Sequence, residues 1–348
     1  MKAYVRGTGA FLPPRVVTNE EIAPGLGMNP EDIFRSSGIQ RRRWAEPGTA
    51  VSTLAVEALR LALADAKTEP AEIDYLIFGT MTPDRFIPGT GPAVLQALGL
   101  PEIPCVDIRQ ACCNALYALQ LAQALIASGT ARRVAICLAE VQSAFLDLSP
   151  TSGTLSMLFG DGASALIVGG EDENTKGGYE ILDVFLSTNG AYVDDLGIRC
   201  PGTSVGTAQN HPPAEFAVDF SPRMNGQSVI LQATRRIVAA CKTVLERNLL
   251  TVAEVGWIVP HQANTNLLQQ VAKKLGFTAE DRVVNTLADY GNTSSASMGI
   301  ALDTLHRTGA VEENVFLLLP AFGAGFTWGA GLLRKTYVPC NQFLSTFD

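Results

Sequence analysis

Three residues far apart in the chain, Cys112, His261 and Asn292, are of the types that together could take up an acyl group and hand it to an acceptor. A thiolate attacks thioester carbonyls readily, and imidazole and amide N–H groups can hold an oxygen on which charge develops. Cys112 stands just before an amphipathic stretch that closes at Gly129, so it is expected at a helix start, where free N–H groups and partial positive charge lower a thiol's pKa. His261 follows a short apolar run and is expected at the C-terminal end of a strand, where α/β sheets place ligand-binding residues. Each has a plainer reading alone: a packed thiol, a turn histidine, and an N-cap after Gly291. Cys113, which enters the helix proper, suits the packed thiol better. His306 reads as a partner for a helix C-terminus and His211 as a loop residue. The turn Phe322-Gly-Ala-Gly-Phe326 lacks the spacing and lysine of a phosphate loop. Its small residues let the main chain approach a reacting carbonyl, so the amides of Cys112 and Ala324 could form an oxyanion hole, with a purely structural turn as the alternative.

The elements that must position these residues occur twice. Val51 to Thr80 matches Ser228 to Gln262, each an amphipathic helix, an Ala-Glu pair and an apolar strand. LQALGL matches AKKLGF, and the helix and strand after Ala111 match those after Tyr290. FGDGASALIVGG matches FGAGFTWGAGLLRK, in the same order. Aligning the closing glycines Gly129 and Gly309 sets Cys112 opposite Asn292, and aligning the Ala-Glu pairs sets His261 opposite Gly79. Short, nearly continuous apolar strands between helices predict largely parallel sheets covered on both faces. Two such halves, 1–172 and 173–348 with a linker near Glu171 to Gly178, stack into a five-layer α/β/α/β/α sandwich if their helices share a middle layer.

Composition bounds the partners. A formal net charge of -8 excludes a broad nucleic-acid or membrane-surface role, which needs a positive field. The longest apolar run, Val315 to Phe326, is broken by Pro320, Gly323 and Gly325, so neither a membrane span nor a secretory signal is expected. Seven scattered cysteines without a CxxC pair point to a reducing cytoplasm and away from a zinc site.

At these residues the sequence resembles the thiolase superfamily, and most closely the β-ketoacyl-acyl carrier protein synthase III family, over nearly the whole chain. The resemblance is carried by Val259-Pro-His-Gln-Ala-Asn264, Tyr290-Gly-Asn-Thr-Ser294, Phe322-Gly-Ala-Gly-Phe-Thr-Trp-Gly329, Phe159-Gly-Asp-Gly162, Gly38-Ile39 before a basic run, and Asp107 through Cys112. It implies a Cys112-His261-Asn292 site without metal or cofactor, in which Cys112 takes the acyl group of an acyl-CoA. His261 and Asn292 then hold malonyl-acyl carrier protein while it loses carbon dioxide and condenses. It further implies a homodimer in which Asp84 to Pro88 reaches the partner's pocket, with Phe86 and Ile87 setting acyl length, and Asn264 and Phe322 beside the substrate. Where the family grips the nucleotide end of CoA with Trp and Arg, this chain has Asp32 and Ser36, leaving Arg35, one position earlier, as the candidate contact. Arg41, Arg42, Arg43, Lys273 and Lys274 are candidate contacts for CoA phosphates or an acidic carrier protein, against a default of solvated charge. The segment 197–213 is longer than in the common form, either a lid, a dimer contact or surface decoration. The alternatives are acyl transfer to an oxygen or nitrogen nucleophile, condensation of an unusual starter, an inactive partner subunit of the same fold, and a cysteine protease or thioesterase, for which His261 lacks an obvious orienting acid.

Overall fold

The computed structural model describes residues 1–150, 152–170, 177–199, 202–203 and 222–336. His211, most of the linker and most of the 197–213 segment lie outside the described residues. The strands are β1 (Ala3–Phe11), β2 (Arg15–Thr18), β3 (Arg41–Trp44), β4 (Tyr75–Gly79), β5 (Cys105–Ile108), β6 (Arg133–Glu140), β7 (Gly162–Gly170), β8 (Gly178–Thr188), β9 (Leu196–Gly197), β10 (Arg223–Met224), β11 (Val255–Ile258), β12 (Phe316–Gly323) and β13 (Thr327–Thr336). Six helices matter below: α1 (Pro30–Ser37), α2 (Val51–Asp65), α3 (Asn114–Ala127), α4 (Gly226–Arg247), α5 (Thr265–Leu275) and α6 (Ser297–Thr308).

Outward from a short antiparallel junction of β1 with β8, the strand order is β1-β7-β6-β4-β5 on one side and β8-β13-β12-β11 on the other. Val283 bridges Ile258 in parallel, where the second half would carry its counterpart of β5. The duplication read from sequence is thus a duplication of topology. The junction joins the two sheets into one nine-stranded ladder. α3 packs against strands of both halves and α6 lies against β1 and β7, so these two helices form the middle layer. α2 covers the outer face of the first sheet, and α4 with α5 covers that of the second. The five layers follow.

The sheets are mixed rather than largely parallel. β4 pairs in parallel with β5 and β6, and β11 with β12, but β6–β7 and β12–β13 are antiparallel. Glu140 pairs with Gly162 and Gly323 with Thr327, so each connection stays at one end of the sheet. Without a crossover helix the chain must return antiparallel, and continuous apolar runs do not distinguish the two cases.

β1 carries glycines because α2 lies directly on it. A Cβ at Gly9 would stand 2.3 Å from the Ala58 carbonyl oxygen, and one at Gly7 2.5 Å from the Ala66 nitrogen. At the end of α2, Asp65 accepts from the Thr8 backbone N–H at 2.9 Å and from Arg307 at 2.7 Å. His306 stands 3.3 Å from the Asp65 carboxylate and 3.1 Å from the Tyr179 hydroxyl, so it links α6 to β8 and α2 rather than only closing its helix. Burial pushes the Asp65 carboxyl up, but hydrogen bonds from His306 and Thr8 and the charges of His306 and Arg307 outweigh it and hold the group at about 2. A carboxyl depressed in the folded state stabilises it above the unfolded pKa of about 4, and that stability is lost as pH falls toward about 2. Asp65→Asn is therefore expected to lower unfolding free energy at neutral pH by about 2 kcal/mol and to flatten the acid limb of the stability curve, as measured by urea unfolding across pH.

Candidate active site

Cys112 sits in a short 3-10 turn, Ala111–Cys113, that leads into α3. Ser294–Ala296 makes the same turn before α6, and Ala111 and Ser294 share the same left-handed φ of 48°. Matching these helix starts pairs Cys112 with Ser295, not with Asn292. α3 runs longer than α6, so an alignment on the closing glycines drifts before it reaches the nucleophile. Asn292 nonetheless reaches the site, from the preceding extended segment.

That segment is held by the Phe159-Gly-Asp-Gly162 turn. Asn292 N–H donates to Leu158 O at 2.8 Å, Gly160 N–H donates to Asn292 O at 3.1 Å, and Phe159 bridges Asn292 in parallel. A Cβ on Gly160 would collide with Tyr290 O at 2.2 Å. Asp161 accepts from Ala45 N–H at 2.8 Å, and from the Ser143 N–H at 2.9 Å and hydroxyl at 2.6 Å. The motif therefore positions Asn292.

Cys112, His261 and Asn292 converge on one cavity of about 380 Å³, which Phe322, Asn264 and Ser36 also line. A second cavity of about 320 Å³, lined by Phe86, Phe145 and Ala324 among others, opens on the other side of the same sulfur. Cys112, Leu155, Phe159 and Leu196 border both. A larger groove of about 470 Å³ beside Trp44 and Phe145 contains none of the three residues, so size does not locate the chemistry.

Electrostatics differ from the sequence expectation. Burial pushes the Cys112 thiol up to about 12, because the hydrogen bond with Ser294, 3.7 Å away, and the nearby amide do not offset desolvation, and the Glu140 carboxylate adds repulsion. Burial likewise pushes His261 down to about 4. Both groups are therefore neutral near pH 7. The Ser297 hydroxyl oxygen accepts the Gln262 N–H at 3.2 Å and lies 2.7 Å from His261 Nδ1. With the Ser297 hydrogen donated to Nδ1, the imidazole proton resides on Nε2. Asn292 Oδ1 is occupied by the Ser294 N–H at 2.8 Å, which leaves its NH₂ as donor. The cavity thus offers two neutral N–H donors suited to a carbonyl oxygen that becomes an enolate.

Gly323 brings the glycine turn against the nucleophile: a Cβ there would stand 2.9 Å from the Cys112 nitrogen. The small residue is required by that approach. Cys113 is fully buried, and its thiol donates to Thr327 O at 3.4 Å, as a packed thiol should. Asn264 lines the cavity, but its Oδ1 caps α5 and its Nδ2 donates to Ser36 O at 2.8 Å, so its polar atoms are committed to structure. Arg35 and Ile87 line neither cavity. Arg35 pairs with Asp32 at 2.5 Å on the exposed face of α1, and Ile87 is 76% exposed beside Phe86 at 68%.

Each arginine of the basic run has a protein partner. Arg42 is fully buried and donates to Asn19 Oδ1 at 2.8 Å and Met157 O at 2.6 Å, Arg41 pairs with Asp289 at 2.8 Å, and Arg43 donates to Pro14 O at 3.1 Å. Strand alternation across β3, which turns the middle arginine inward, was the available signal. Sequence reasoning also missed Glu140, which is fully buried and accepts from the Ser295 hydroxyl at 2.6 Å, the Thr82 hydroxyl at 2.8 Å and the Met81 N–H at 3.1 Å. It ties the end of β6 to the turn that carries Ser294, and burial pushes its carboxyl up to about 7. Nothing local marks a strand-end glutamate as buried.

The comparisons agree with this geometry. Residues 106–190 match the family model described as 3-oxoacyl-[acyl-carrier-protein (ACP)] synthase III, and residues 245–335 match its C-terminal model. The β-ketoacyl-[acyl-carrier-protein] synthase III of Nitratidesulfovibrio vulgaris is 37% identical over 95% of this chain and 98% of its own length. The 3-oxoacyl-(acyl carrier protein) synthase III of Pseudomonas aeruginosa superposes with a TM-score of 0.86 at 31% identity, covering 97% of this chain and 99% of that one. A priming β-ketosynthase from the R1128 polyketide pathway superposes at 0.85 with 33% identity, covering 96% of both chains. With its paired cavities around one cysteine, its duplicated topology and relatives matched end to end, the chain belongs to the β-ketoacyl-[acyl-carrier-protein] synthase III family of condensing enzymes.

Proposed function

We propose that this enzyme condenses an acyl group carried on Cys112 with malonyl-acyl carrier protein, Cys112, His261 and Asn292 being its catalytic residues. The observation that carries the reading is the position of Cys112 between two cavities, one holding the two N–H donors and the other a largely apolar space. In the first step the Cys112 sulfur bonds to the thioester carbonyl carbon of an acyl-CoA. The carbon–sulfur bond to CoA then breaks, and CoA leaves as the thiol with the proton that Cys112 gives up. The acyl chain occupies the cavity beside Ala324, whose amide with that of Cys112 receives the carbonyl oxygen. In the second step His261 and Asn292 hold the malonyl thioester oxygen while carbon dioxide leaves. The enolate carbon attacks the acyl carbonyl, the bond to Cys112 breaks, and the released thiolate takes a proton from solvent. A neutral His261 suits this role, because the enolate needs a hydrogen bond and not a proton.

The scheme asks for no metal or organic cofactor. Residues 1–172 supply the nucleophile and 173–348 the donors. Phe86 lines the acyl cavity of its own chain, and the exposed Ile87 beside it is the residue by which a second copy would complete that cavity in a homodimer. A cytoplasmic setting suits the CoA thioester and the free thiol. Among the described residues no helix is long and apolar enough to cross a membrane.

The test is to acylate the enzyme, add malonyl-acyl carrier protein and follow carbon dioxide and product mass. A β-ketoacyl product with one carbon dioxide per turnover is expected. No carbon dioxide from any malonyl donor would remove the condensing reading.

A further inference from the structure

Two arginines that the reaction scheme does not use line the cavity assigned to the acyl group. Arg85 lies on the loop after β4, and Arg109 on the link from β5 to the turn of Cys112. Neither guanidinium has an ion-pair or hydrogen-bond partner among the described residues. Among the described residues no Asp or Glu lines the same cavity, although the chain as a whole carries a formal net charge of -8. Among the described residues the other cavity has no charged residue in its lining, and its mouth presents neutral groups such as Ser36, Asn266 and Gln270. The two arms that meet at Cys112 therefore differ in charge, one neutral and one cationic.

A cationic pair beside an apolar channel is poorly matched to a plain alkyl chain, which gains nothing from it. It is well matched to an anion at the far end of such a chain. Arginine presents a planar fork that fits a carboxylate through two parallel hydrogen bonds. Both side chains are exposed in the single chain, so water screens them, but a concave apolar wall focuses the field of like charges toward the cavity.

We propose that the acyl group taken up by Cys112 ends in a carboxylate: a dicarboxylic acid activated as a thioester at one end, its free carboxylate set against Arg85 and Arg109. This rests on the acyl-Cys112 reading above. The transfer is balanced as before, with the new bond from the Cys112 sulfur to the acyl carbon, the CoA carbon–sulfur bond broken, CoA released as thiol, and the distal carboxylate unchanged.

The experiment offers succinyl-, glutaryl- and adipyl-CoA alongside butyryl-, valeryl- and hexanoyl-CoA, and reads the rate of Cys112 acylation by intact-protein mass. Because both series ride on CoA, attraction to its phosphates cancels from the ratio. At least one dicarboxylic member should react about tenfold or more faster than the alkyl member of equal length, in line with one charged contact. That ratio should fall to near one in the Arg85→Leu/Arg109→Leu double variant. It should also shrink for the unaltered enzyme between about 0.05 M and about 0.5 M salt, a measurement that needs no variant to fold. Equal or faster alkyl transfer at every length, or a preference that survives both the double substitution and salt, overturns the inference. Alkyl labelling alone leaves the condensing reading standing and removes only this one. Labelling by neither series removes both.

Discussion

Cys112→Ala is expected to leave the protein folded and unlabelled by any acyl-CoA, with condensation lowered by at least about 10³-fold. No neighbour can take over the role. Cys113 is fully buried with its thiol committed to Thr327 O, and Ser294, though 3.7 Å from the Cys112 sulfur, offers only an unactivated hydroxyl. A single mass shift per chain in the unaltered enzyme, absent from the variant, is the measurement. Acyl label retained by Cys112→Ala would sink the nucleophile assignment. The thiol at about 12 adds a second readout. Alkylation of the empty enzyme by iodoacetamide should be slow at pH 7 and rise about tenfold per unit of alkaline pH, because the thiolate is the reactive form. An inflection near neutrality would mean that a cation lowers the thiol.

His261→Ala and Asn292→Ala should separate the two halves of the reaction. Acylation of Cys112 continues in both variants, whereas β-ketoacyl formation falls by about 10²- to 10³-fold in each, the usual effect of removing one donor from a developing oxyanion. The double variant should lose less than the product of the two, since both donors act on one oxygen. With His261 held at about 4 by burial, the condensation rate should show no histidine inflection between about pH 5.5 and 8. A rate that falls as pH rises through about 6.5 would make imidazolium the donor and overturn the neutral-histidine account. Single-turnover mixing of pre-acylated enzyme with malonyl-acyl carrier protein isolates this step from acyl loading.

Several parts of the site were legible because they are local. Cys112 at a helix start and His261 after a strand follow from the pattern of apolar and small residues around them, and the glycine turn announces a close main-chain approach. The duplication was also legible, since equivalent helices and strands must bury equivalent faces. The pairing of Cys112 with Asn292 by a constant offset was not reliable: α3 and α6 differ in length, and the turns before them align Cys112 with Ser295 instead. The arginine run shows the opposite failure. Its charge suggested a surface patch, yet Arg42 is fully buried among Asn19, Met157 and the glycines beside Tyr290.

The sequence by itself determined that the chain has two equivalent α/β halves and which residue types carry its chemistry, because side-chain periodicity and local backbone freedom depend on near neighbours in the chain. Only the tertiary structure decided strand direction, the neutrality of Cys112 and His261, the burial of Glu140 and Arg42, and the charge difference between the two cavities. Strand direction depends on how each connection crosses the sheet, and the rest depend on how much water is removed by segments that are distant in sequence, because desolvation is a property of the assembled packing.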